Sequence, residues 1–232
     1  MKSLFVIPAR SGSKNIPDKN IKLLAGKPLI YYSITLARKF SEDDDICLST
    51  DSPKYIEIAN QYKLNVPFIR PSYLASDTTT STEVLIHAIN FYKNKGKNYD
   101  NIILLQPTSP FRKEQHIAEA IKLYDNSIDM VVSVKKADAN PYYSLYEENN
   151  YGYLEKSKPS RITRRQDCPD VWQYNGAIYI INIQSILNKP IENFSKIRKY
   201  VMDDISSLDL DNPLDWEFAE FLLSKGYVKM SY

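Results

Sequence analysis

Several kinds of chemistry are closed to this 232-residue chain because it lacks the residues for them. It has only two cysteines and two histidines. Cys47 and Cys168 follow no metal spacing and make no disulfide framework, so a reduced protein whose thiols do no chemistry is expected. His87 and His116 fall inside helical patterns, with no cysteine or histidine near enough to complete a metal set and no nucleophile beside them. Charge of one sign is also missing. Thirty basic and 28 acidic residues leave +2, which is no field for wrapping nucleic acid, so any anionic ligand must be small and met locally. No apolar run approaches a membrane span, and residues 4–7 are far too short for a signal-peptide core. A soluble, cytoplasmic chain without membrane or nucleic-acid partners is the expectation.

What is present has an alternating rhythm. Short apolar runs at 4–7, 46–49, 102–105, 130–134 and 177–181 read as strands, several too continuously apolar for a half-exposed sheet. Amphipathic stretches at 29–38, 55–62, 83–92, 117–124 and 214–223 read as helices. Strand followed by helix, repeated, predicts one α/β domain over 1–232 with a mostly parallel sheet in three layers. Ligands of such sheets bind beyond the carboxyl ends of the strands, which directs attention to the loops after Ile7, Ser49 and Leu105. Residues 136–175 break the rhythm with a polar, Tyr-rich and Lys/Arg-rich interval, longer than an ordinary connection. It reads as an inserted hairpin or flap, either a lid or an arm onto a partner subunit.

The first of those loops, PARSGSKNIPDKN at 8–20, places three cations and three small residues directly after a buried strand. Gly12 and the serines, Ser11 among them, allow backbone amides to turn toward an anion. Arg10 can fork two phosphate oxygens, while Lys14 and Lys19 are mobile point charges. The Gly-Lys-Ser/Thr ending of a Walker loop and the three-glycine dinucleotide fingerprint are both absent. A solvated basic loop is the plain alternative; the position after the first strand favours a triphosphate cradle.

Farther along, Leu208-Asp209-Leu210-Asp211 alternates apolar and acidic residues. If extended, it turns both carboxylates to one side, an arrangement suited to Mg²⁺, which takes oxygen ligands and shares them with phosphates. Asn212, Pro213 and Asp215 form a helix-start pattern that explains Asp211 equally well but leaves Asp209 without a purpose. Thr79, Thr80, Ser81 and Thr82 crowd another helix start, where capping and ligand recognition by free N–H groups are both open.

Five segments in order carry a resemblance: IPARSGSKNIPDKNIKLLAGKPLI, RPSYLASDTTTS (70–81), LLQPTSPFR (104–112), RRQDCP with NGAIYI (164–180), and SLDLDNPLDW (207–216). Together the chain resembles acylneuraminate cytidylyltransferases, the CMP-sialic acid synthetases, nearly end to end. The resemblance implies a Rossmann-like nucleotidyltransferase fold, CTP and a nonulosonic acid as substrates, Mg²⁺ on Asp209 and Asp211, and a homodimer using an arm within 136–175. It implies further that Arg10 and Lys19 serve catalysis, with CTP held by Arg10, Ser11, Lys14, Lys19, Asn20, Arg70, Thr79 and Ser81. Gln106 and Tyr179 would meet the sugar, and Arg165 would reach it from the neighbouring subunit. N-acetylneuraminate is the first acceptor in view, with legionaminate or another ulosonate as alternatives. In a different class stands a nucleotide-binding protein without catalysis. Asn140-Pro141-Tyr142-Tyr143 departs from the His-Pro pair and later lysine common in the family, which bears on the N-acyl pattern of the sugar.

Overall fold

A computed structural model describes residues 1–230 of the chain. In chain order its elements are β1 (Ser3–Pro8), β2 (Leu23–Leu24), β3 (Lys27–Pro28), α1 (Leu29–Ala37), β4 (Ile46–Ser49), α2 (Pro53–Gln61), α3 (Ser81–Asn94), β5 (Asn101–Leu104), α4 (Glu114–Lys122), β6 (Met130–Lys136), β7 (Tyr146–Glu148), β8 (Leu154–Lys156), β9 (Trp172–Asn182), α5 (Ile183–Asn188), β10 (Ile197–Val201) and α6 (Pro213–Ser224).

Six strands form the central sheet in the order β10-β6-β9-β5-β1-β4. β1 lies parallel to both β4 and β5, β10 is parallel to β6, and β9 runs antiparallel between β5 and β6. The period-2 alternation of the strands explains the layers. Phe5, Ile7, Ile103 and Ile180 face one side, where Ile30 and Ile34 of α1, Tyr55 of α2 and Ile117 of α4 cover them. Leu4, Val6, Ile102 and Ile181 face the other, under Leu85 and Ile89 of α3 and Ile186 of α5. The expected three-layer, mostly parallel sheet is what forms. No helix of the described residues is long and apolar enough to cross a membrane.

A third, smaller core decides where the C-terminal acids go. Trp216, Ala219 and Leu222 of α6 pack with Leu29 and Tyr32 of α1, Phe111 and Leu210. Burying each large apolar side chain contributes roughly 1.5–3 kcal/mol, enough for Leu210 to anchor its segment. Asn212 caps α6 by accepting the Asp215 N–H at 3.0 Å, and the Asp215 carboxylate accepts the Asn212 N–H at 2.9 Å.

Three elements differ from expectation. β9 begins at Trp172, well before residue 177, because Asn175-Gly176 forms a bulge inside the strand rather than a turn ahead of it. β10 was not anticipated: Ile197-Arg198-Lys199-Tyr200-Val201 buries little, and its basic residues suit a sheet edge. α5 is six residues long, too short to show a helical period. The interval after β6 contains the exposed hairpin β7–β8.

Candidate active site

At the carboxyl ends of β1 and β5 lies a cleft of about 530 Å³. Arg10, Lys14, Lys19 and Asn20 line it from the first loop, Thr79 to Ser81 from the start of α3, Gln106 and Thr108 from the turn after β5, and Asp209 and Asp211 from the segment before α6. The two regions most distant in sequence meet directly: Lys19 Nζ stands 2.9 Å from Asp211 Oδ1.

The loop after β1 is fastened from below. Asp51, just past β4, accepts the Ser11 N–H at 2.8 Å and the Ser11 hydroxyl at 2.5 Å. Burial works against the Asp51 carboxylate, but these bonds hold it below the usual carboxylate range. Ser11 thus gives both donors to Asp51 and is not among the residues lining the cleft. Asn20 is buried and donates to the Arg10 carbonyl at 3.0 Å, bracing the same loop from its far end. The cations are ion-paired: Arg10 and Lys14 each lie 2.7 Å from a different oxygen of Asp77, an exposed carboxylate.

On the α3 side, capping falls to Thr80, whose hydroxyl accepts the Glu83 N–H at 3.2 Å while Glu83 accepts the Thr80 N–H at 2.7 Å. Ser81, at the first helical position, is left exposed on the cleft, and the Thr79 hydroxyl donates to the Tyr73 carbonyl at 3.1 Å. Arg70 is buried beneath this wall. Its guanidinium donates to the Ser49 hydroxyl at 2.9 Å and also to the Ser49 carbonyl, so it reaches the cleft as part of the floor. Burial lowers its affinity for a proton, and Asp51 opposes that shift.

The acidic wall is built differently. Leu208–Asp211 lies outside any strand, yet the alternation survives: Leu210 is fully buried in the third core while Asp209 and Asp211 line the cleft. The Leu210 N–H donates to the Thr108 carbonyl at 2.8 Å, tying this segment to the turn after β5. Asp209 is pushed above the usual carboxylate range, by burial first and then by Asp211, with the Thr108 hydroxyl opposing. Its Oδ1 is buried with no hydrogen-bond partner. A side chain at 176 would put its Cβ 2.7 Å from Gln106 Oε1, which would have to shift, and 3.8 Å from Asp209 Oδ2, and the φ of +75° favours glycine there.

An orphaned carboxylate oxygen beside a second carboxylate fits part of the oxygen shell of a hard cation such as Mg²⁺, which takes its other ligands from water and phosphate. Among the described residues no group of three or more His, Cys, Asp and Glu gathers. Tyr179 is half-buried, and its hydroxyl is pushed up to about 12 by burial, by Tyr174 and by Asp209. Arg165 is exposed and donates to the Asp138 carbonyl at 3.1 Å; it is not among the residues lining this cleft. The pattern reading missed Asp51, Asp77, Gly176 and Arg112. Asp51 stands in one of the loops singled out by the strand pattern, and Arg112 closes the LLQPTSPFR segment. Asp77 lies inside RPSYLASDTTTS, where no spacing marks it apart from its neighbours.

A mostly parallel sheet with a cationic loop after its first strand and an acidic pair across the cleft defines an enzyme of the nucleotidyltransferase class. The Cytidylyltransferase family model matches residues 4–212, and the chain belongs to that family. It is 34% identical over 226 residues to the CMP-N,N'-diacetyllegionaminic acid synthase of Legionella pneumophila, covering 96% of this chain and 97% of that one. It is 36% identical over 220 residues to the N-acylneuraminate cytidylyltransferase of Escherichia coli O18:K1:H7. That match covers 94% of this chain and 51% of the relative, so the chain spans about half that relative's length. The structure of a CMP:2-keto-3-deoxy-manno-octonic acid synthetase complexed with CTP superimposes with a TM-score of 0.70, covering 97% of this chain and 100% of that one. At 18% identity that likeness concerns the fold.

Proposed function

We propose that this chain joins CMP from CTP to the anomeric hydroxyl of a nonulosonic acid and releases pyrophosphate. The observation that carries the reading is the meeting of the cationic loop and the acidic pair in one cleft, with Lys19 and Asp211 2.9 Å apart. The hydroxyl attacks the α-phosphorus, the bond from that phosphorus to the bridging oxygen breaks, and pyrophosphate leaves in line. No protein nucleophile is required; positioning and charge stabilisation supply the catalysis.

Arg10 and Lys19 stabilise the departing pyrophosphate, with Lys14 beside them. Asn20, Thr79 and Ser81 hold the nucleoside, with Arg70 as the fixed floor below. Gln106 and Tyr179 orient the sugar. Arg165 contributes from the partner subunit of a homodimer, whose contact uses the arm within 136–175. Asp209 and Asp211 would hold Mg²⁺, which when bound draws charge from the α-phosphate and acidifies the attacking hydroxyl.

N-acetylneuraminate is the first acceptor to test. N,N'-diacetyllegionaminate is the second reading, favoured by the Legionella pneumophila relative whose name carries that sugar. Pyrophosphate release from CTP is measured with N-acetylneuraminate, N,N'-diacetyllegionaminate, pseudaminate and Kdo in turn. Turnover confined to nine-carbon acids is expected. CTP binding without release for any acceptor would favour the non-catalytic alternative and overturn the enzyme.

A further inference from the structure

β9 leaves its register with β6 at one place. Val132 pairs with Tyr179 but Val134 pairs with Tyr174, so residues 175–178 bulge opposite Ser133 alone. The bulge is held by a buried polar network. The Ser133 hydroxyl donates to Asn175 Oδ1 at 2.6 Å, and Asn175 Nδ2 donates to the Ser207 hydroxyl at 2.9 Å, two residues before Asp209. Arg112 is 1% exposed. Its Nη1 donates both to the Gln106 carbonyl at 2.6 Å and to the Ala177 carbonyl at 3.0 Å, and its Nη2 donates to the Ser33 hydroxyl of α1. Between these two clamps sits Gly176, against Gln106 Oε1 and Asp209 Oδ2.

We propose that the β9 bulge, clamped by Arg112 and Asn175, is a positioning device that fixes the Gln106 side chain relative to Asp209. Arg112 and Asn175 are positioning residues, and Gly176 is the clearance that lets the two working side chains approach. The inference rests on the proposed reaction only in assigning Gln106 to the acceptor and Asp209 to the transferring phosphate. Its physical basis is independent. A planar guanidinium can span two carbonyls and a hydroxyl in one fixed fork, whereas an ammonium is a compact charge that cannot reproduce it. A satisfied buried network is rigid, and misplacing reacting groups by about 1 Å can cost roughly 10²-fold in rate. The nucleotide loop is braced separately, through Asp51 and Asn20.

Arg112→Lys and Gly176→Ala are compared with the wild-type chain by kcat, by CTP affinity in calorimetry, and by hydrogen exchange over 104–112 and 206–211. Both variants are expected to lose about 10–100-fold in kcat, the scale of a positioning error. CTP affinity should stay within about threefold, and exchange at the Leu210 N–H should accelerate about tenfold or more, roughly the loss of one hydrogen bond of 1.4 kcal/mol. If Arg112→Lys does not fold, Gly176→Ala decides: its backbone strain at φ +75° is the same with and without Gln106, so the part of its kcat loss that disappears in the Gln106→Ala background reports the side-chain contact. Wild-type kcat in Gly176→Ala, or an equal loss with and without Gln106, would overturn the proposal. A wild-type chain inactive on every acceptor would overturn the proposed reaction instead. Exchange would then decide the clamp: unchanged rates in both segments of Arg112→Lys, or of Gly176→Ala where the former does not fold, would refute it.

Discussion

Lys14 keeps 71% of its side chain in solvent and, with the partly exposed Arg10, leans on Asp77, which is about half exposed. Across the cleft, Asp209 is held in burial with one oxygen unpartnered, behind a glycine and a guanidinium that is 1% exposed. On the cationic wall Arg10 and Lys14 can exchange partners at little cost, since exposed ion pairs contribute little net stability, whereas Lys19 is largely buried. On the acidic wall Asp209 is fixed before any ligand arrives, at a cost in desolvation, whereas Asp211 keeps 65% of its side chain in solvent. The difference suits the proposed reaction. Charge on the departing pyrophosphate moves during the step and is best followed by mobile cations, whereas the attacking hydroxyl and α-phosphate need a fixed frame.

The comparison breaks most visibly at Asp209. Asp209→Ala or Asp211→Ala is expected to lower kcat at saturating CTP by more than about 100-fold, the scale seen when an electrostatic stabiliser is removed; near-normal rates at limiting Mg²⁺ would refute the metal assignment. Asp209→Asn should also raise Tm at neutral pH, as read by thermal unfolding. The sign follows from the raised carboxyl. Ionised Asp209 costs the folded state stability above its folded-state pKa, and that cost disappears below 3.8, so the Tm gap should close in acid. A Tm that falls at neutral pH would show that the carboxylate is structural.

On the cationic wall, Arg10→Ala should reduce kcat/KM for CTP by roughly 10–100-fold, since charge-assisted bonds contribute about 1.5–3 kcal/mol. A loss under about threefold would show that Arg10 does not meet phosphate in the transition state. The smallest effect is a gain. Asp77→Asn releases Arg10 and Lys14 and should lower KM for CTP by about 2–5-fold at low salt, the scale of an exposed pair, with the gain fading as salt rises. A KM that rises would mean that Asp77 organises the loop instead of occupying it.

Much of this was legible in the residues. Strand-helix alternation gave the layered sheet, because burial on both faces forces continuous apolar runs, and the capping pattern at Asn212 and Pro213 marked the start of α6 correctly. β10 was not legible, since an edge strand rich in Arg and Lys carries no apolar period. Nor was the bulge in β9, because Asn-Gly reads locally as a turn and only pairing with β6 keeps it inside a strand.

Local chemistry alone determined which side chains carry charge: three cations after the first strand, two carboxylates alternating with leucines near the end, and too few histidines or cysteines for other routes. Tertiary structure decided how each charge is held. Ser11 turned to Asp51, Arg70 sank into the floor, Asp77 came to rest against Arg10 and Lys14, and Arg112 joined the turn after β5 to β9. Those outcomes depend on burial and on partners far away in the chain, and neither is written in the spacing of neighbouring residues.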